Sequence, residues 1–76
     1  MSDPTFEAIL RAPYLFDHGI GYWTGEPDRS VLARALAEVP QDPRVEREVM
    51  EGEVVLRGPE EVVLAEARLL REAGLL

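Results

Sequence analysis

The stretch Arg44-Val45-Glu46-Arg47-Glu48-Val49-Met50-Glu51-Gly52-Glu53-Val54-Val55-Leu56-Arg57 decides the fold, because it reads in two incompatible ways. At helical period, Asp42 is an N-cap, Pro43 takes the first helical position, Val45, Val49 and Met50 share a face, and Gly52 closes the helix. At period two, Arg44 to Met50 and Glu53 to Arg57 are the arms of a hairpin turning at Glu51-Gly52, with Val54 and Leu56 on the packed face. Val54-Val55-Leu56 is a strand under either reading, since β-branched residues suit a pleated surface.

Working outward, Pro40 ends the most regular helix, which runs from about Asp28 to Val39. Val31, Leu32, Ala35, Leu36 and Val39 fall within an arc of about 140°, with Arg29, Arg34 and Glu38 outside it. On the other side, Pro59 opens a final helix. Glu60 and Glu61 meet its positive end, Arg68 and Arg71 its negative end, and Gly74 is the C-cap. Another short helix is expected from about Pro4 to Ala12, capped by Asp3 or Ser2 and ended by Pro13, with Phe6, Ile9 and Leu10 inward.

Between these helices, Pro13 to Glu26 holds Tyr14, Phe16, Tyr22 and Trp23, four of the five aromatics, interleaved with Gly19, Gly21 and Gly25. It reads as an ordered loop with little regular structure. The expected fold is therefore mainly α: a small bundle of three or four short helices with one short strand or β-hairpin, in a single domain over residues 1–76. An α+β fold is the alternative.

At 76 residues without cysteine, the chain has no disulfide to reinforce a core near the lower size limit for independent stability. The net charge of -7 repels phosphate backbones and anionic lipids, so neither nucleic acid nor a membrane is an expected partner. All eight basic residues are arginine, Lys and Asn are missing, and Gln41 is the sole glutamine, a thermophile-like composition of the kind a GC-rich genome encodes. No apolar run reaches bilayer length, and Met1-Ser2-Asp3-Pro4 lacks the flanks of a signal peptide, so a cytoplasmic location is expected.

The residues for self-contained catalysis are sparse. Ser2, Thr5, Thr24 and Ser30 share one histidine, His18, and there is no lysine for a Schiff base, so an enzyme is not expected and no catalytic residue is assigned. His18 follows Asp17, but no second histidine and no cysteine completes a coordination sphere, so neither a metal nor another cofactor is assigned. Glu46, Glu48, Glu51 and Glu53 alternate with other residues as a solvated acidic face.

Two groups remain as binding candidates. Tyr14, Phe16, His18, Tyr22 and Trp23 supply contact area for a partner, or cap the chain's own core. In the last helix, Val62, Val63, Ala67, Leu69, Leu70 and Ala73 span an arc of about 160° that also contains Glu66, a carboxylate that needs a partner: it pairs with an arginine of its own subunit, snorkels outwards, or sets register across an interface with a second subunit. Leu64, Leu75 and Leu76 add apolar surface, which makes Val63, Glu66, Leu70, Leu75 and Leu76 candidates for a homodimer interface.

Leu69-Leu70-Arg71-Glu72-Ala73-Gly74-Leu75-Leu76 resembles the end of a recognition helix in winged-helix repressors. That resemblance implies a basic DNA-facing surface and a following β-wing, whereas this sequence is strongly acidic. The expected function is a small acidic, non-enzymatic protein-interaction or regulatory module that self-associates. An antitoxin-like inhibitor or nucleic-acid mimic seated on a basic partner is one alternative, and small-molecule binding through the aromatic loop 13–25 is another.

Overall fold

The computed structural model describes residues 5–17 and 22–76, with the backbone alone at positions 16, 17 and 22–24. The chain order is β1 (Phe6–Arg11), β2 (Tyr14–Asp17), β3 (Tyr22–Pro27), α1 (Arg29–Glu38), β4 (Glu46–Met50), β5 (Glu53–Gly58) and α2 (Glu60–Glu72). β1, β5 and β4, in that spatial order, make an antiparallel sheet, and β2 pairs with β3 in a separate hairpin. The fold is α+β, with two helices and five strands among the described residues, and it replaces the expected mainly α bundle and its description as helical.

Residues 44–57 take the hairpin reading. Met50 faces Glu53, Glu48 faces Val55 and Glu46 faces Arg57, around a turn at Glu51-Gly52 in which Gly52 adopts a φ of 73°. A helix over the same residues would leave the middle strand, β5, without backbone partners along one side. Val54, Val55 and Leu56 are buried because β5 has a strand on each flank.

The expected helix at Pro4 to Ala12 is strand β1 over its described part. Phe6-Glu7-Ala8-Ile9-Leu10-Arg11 satisfies both periods, but pairing with β5 from Phe6–Gly58 to Arg11–Glu53 selects the alternating one. Phe6, Ala8 and Leu10 then face the core, while Ile9 is 52% exposed on the opposite face. The aromatic segment is likewise a hairpin, not an irregular loop. Phe16 faces Trp23 and Asp17 faces Tyr22, but Tyr14 faces Pro27, so β3 carries extra residues in a bulge at Gly25, whose φ is 81°.

Both helices cover one face of the main sheet. Val63, Ala67 and Leu70 of α2 meet Leu32, Ala35 and Val39 from α1 or its C-cap over Leu10, Val54 and Leu56. Each fully buried leucine among these stabilises the fold by about 1.5–3 kcal/mol. The helix starts follow the sequence signals. The Asp28 carboxylate accepts the Ser30 and Val31 N–H groups at the N-cap of α1, and Pro59 precedes Glu60 and Glu61 in the first turn of α2.

After α2 the chain returns to the sheet. Leu75 is buried, its N–H donating to the Leu70 carbonyl, and Leu76 exchanges two backbone hydrogen bonds with Arg11, of 3.0 and 2.8 Å. The outer side of β1 is thereby covered at Arg11. Among the described residues β4 has β5 as its one strand neighbour, so its other side is an open edge.

Candidate functional site

The side chains of β4 alternate across the sheet, and their directions set the character of this open edge. Arg47 points inward, where its Nε donates to Glu66 Oε2 at 2.9 Å and its Nη2 to the Val39 carbonyl at 3.0 Å. Glu66 Oε1 accepts the Asp42 N–H at 2.8 Å. With side-chain exposures of 9% and 4%, this pair is a buried, hydrogen-bonded charge couple that ties β4, α2 and the connection after α1 together. Its consequence at the surface is that the one basic residue of β4 faces inward, leaving Glu46 and Glu48 as the strand's outward charges.

Val49 shares the inner face with Arg47 but lies at the rim, beside α1. Leu32, Ala33 and Leu36 of α1 with Val49 and Met50 of β4 line an apolar groove of about 520 Å³, closed at one end by Arg29 and Glu51. Arg29 Nη2 and Glu51 Oε1 stand 3.3 Å apart and are largely exposed, so their attraction is weak. Val49 is 55% exposed and Met50 50%, which places two large apolar side chains directly along the unpaired strand edge.

The outer face of the sheet is charged and largely self-paired. Arg57 donates to Glu48 Oε2 at 2.8 Å and to Glu7 Oε2 at 2.9 Å, and the two carboxylates, Glu48 foremost, hold its guanidinium more firmly protonated than usual. Arg11 lies 3.3 Å from Glu53. Glu46 enters no salt bridge among the described residues. Two carboxyls elsewhere, both aspartates, sit below their ordinary value of 3.8: Asp28, through the Ser30 hydroxyl and then the helix amides, and Asp42, through the Arg44 guanidinium and backbone N–H.

The residues singled out from sequence fall in different places. Tyr14 is exposed and forms a small apolar patch with Pro13, Gly25 and Leu76. Phe16, Tyr22 and Trp23 lie on β2 and β3 by backbone register, while their side chains, and His18 altogether, lie outside the described residues. Val63, Leu70 and Leu75 are buried in this chain's own core, Glu66 is occupied by Arg47, and Leu76 is exposed. The apolar side chains that α2 turns outward are instead Leu64 and Leu69. Among the described residues no three His, Cys, Asp or Glu side chains come together as a metal-holding group.

Sequence reasoning passed over Val49, Met50, Ala33 and Leu36 as a joint surface. The signal was present in the alternation Glu46, Glu48, Met50 against Arg47, Val49, but it acquires meaning only once β4 is known to be an edge. No helix among the described residues is long and apolar enough to cross a membrane. Comparison of the chain with models of protein families, with curated proteins and with solved structures yields no match.

Proposed function

We propose that this protein is a non-enzymatic protein-interaction module that binds another polypeptide at the open edge of β4 and the groove beside α1. The observation carrying this reading is the coincidence of an unpaired strand edge with Val49 and Met50, each at least half exposed, over an apolar groove. β4 is short and turns Arg47 inward, as protected edges do, but Val49 and Met50 give its end beside the turn no charge to repel an added strand.

Charge sets the kind of partner. Joining two β4 edges from two copies into one sheet would place both sets of Glu46 and Glu48 on a common face and bring together two chains of charge -7. A basic partner gains from the same carboxylates, which favours the acidic-inhibitor form of the reading over self-association.

The test is position-specific photo-crosslinking. With p-benzoylphenylalanine in place of Val49, covalent adducts to another protein should form in cell extract and be competed by excess unlabelled wild-type protein. The same group at Arg68, on the exposed side of α2, is the control. Adducts no more abundant at position 49 than at position 68 would remove this reading. Adducts solely to a second copy of the chain would assign the edge to a homodimer.

A further inference from the structure

We infer that the β4 edge recognises an extended segment by strand addition, and that this segment alternates basic residues with aliphatic ones. This deepens the proposed function and rests on it. The argument starts from register. The two-residue turn at Glu51-Gly52 makes Met50–Glu53, Glu48–Val55 and Glu46–Arg57 the pairs whose backbone groups face β5. The N–H and C=O groups of Arg47 and Val49 are consequently directed to the free edge, a ready set of donors and acceptors for one more strand.

The two faces of such a strand meet different chemistry. On the helix side lie Val49, Ala33 and Leu36, so residues of the added strand pointing that way enter the apolar groove. On the other side lie Glu46, free of a salt bridge among the described residues, Glu48, which shares Arg57 with Glu7, and, beside the turn, Met50. Since a strand sends successive side chains to opposite faces, the complementary segment has a Lys or Arg at every second position and an aliphatic residue between. The inward turn of Arg47 contributes to this selection, because it leaves Glu46 without a cation from its own strand while Arg57 is shared between Glu48 and Glu7.

The mode has a built-in economy of structure. Strand addition needs no rearrangement of β4, which β5 already holds extended, and the groove is present without a partner. At the opposite edge of the sheet, Leu76 already occupies the backbone groups of Arg11, which shortens the stretch of β1 open to an added strand.

The probe is the peptide acetyl-Lys-Val-Lys-Val-Lys-Val-amide, titrated into the full chain and followed by backbone amide NMR and hydrogen exchange. Binding should weaken as salt is raised, and the amides of Arg47 and Val49 should exchange more slowly in the complex. Glu46→Arg should weaken the complex several-fold without altering the fold, and Val49→Asp should abolish it. A Glu-Val peptide of equal length should not bind, nor should a Lys-Val peptide N-methylated on alternate residues so that its pairing edge is blocked.

Three results would overturn the inference. The first is binding with unchanged exchange at Arg47 and Val49, which is charge attraction alone. The second is equal binding of the Glu-Val peptide. The third is no binding of the Lys-Val peptide at millimolar concentration. Crosslinking confined to position 49 together with failure of the peptide would keep the protein-interaction reading and eliminate strand addition.

Discussion

Glu66 and Arg47 form a charge pair inside the molecule, 2.9 Å apart and almost completely shielded from water, with the Asp42 amide and the Val39 carbonyl accounting for their other contacts. A buried pair of this kind repays its desolvation only when fully hydrogen-bonded, and no buried side-chain nitrogen or oxygen among the described residues lacks a partner. Removing one member leaves the other charged and unpaired. Glu66→Leu and Arg47→Met are therefore each expected to destabilise the protein by about 3–5 kcal/mol, whereas the double variant should lose clearly less than their sum, its remaining cost being the Asp42 N–H and the Val39 carbonyl left without their side-chain partners. Urea unfolding of the two single variants and the double variant checks this, and additive losses would contradict it.

The need for this partnership was legible in the sequence, while its geometry was not. Glu66 falls inside the apolar arc of α2, so a counter-charge was required, but Arg47 lies 19 residues away and on a strand whose identity was itself in doubt. Both helices announced themselves through Asp28, Pro40, Pro59 and Gly74, signals that act within a turn or two. β1 did not, because Phe6 to Arg11 suits either period and the deciding contact is β5, far along the chain. Pro13 to Glu26 reads as irregular for a related reason: the glycines that mark a loop also serve a bulged hairpin. The groove at β4 was illegible for want of topology, since an edge is a property of strand order and not of any one strand.

Gly52 supplies a second prediction. Its φ of 73° belongs to the left-handed region, and a Cβ there would stand 2.8 Å from two carbons of the Pro27 ring. The turn carbonyl is also engaged, accepting the Ala12 N–H at 2.8 Å. Gly52→Ala is thus expected to cost more than the ~1–2 kcal/mol of the backbone conformation alone, because β3 must also give way. A thermal midpoint equal to wild type would refute the contact between the two hairpins.

The acid limb of stability should report Asp28 and Asp42. Both carboxyls sit below 3.8 in the folded protein, held there by Ser30 and by Arg44 respectively. A group depressed on folding stabilises the native state above its unfolded value, and that contribution is lost as pH falls through the lower folded value. Asp28→Asn and Asp42→Asn should therefore lower the melting temperature at neutral pH, and the gap to wild type should close as pH is taken below about 3.8. A gap that persisted undiminished at strongly acidic pH would show that the lost charge was not the cause.

Leu75 links the end of α2 to the free side of β1. Its side chain is 3% exposed in the common core, and the next residue, Leu76, exchanges backbone hydrogen bonds with Arg11. Truncation to alanine removes buried methyl groups from a small core and should cost about 2–5 kcal/mol. It should also loosen the segment that shields β1. Hydrogen exchange at the Arg11 and Leu76 amides is then expected to accelerate by more than the global loss of stability accounts for, since local release of two residues needs less energy than unfolding the sheet. Equal acceleration at Arg11 and at Val54, in the middle of the sheet, would mean that the terminal segment opens only with the whole fold and does not guard that edge independently.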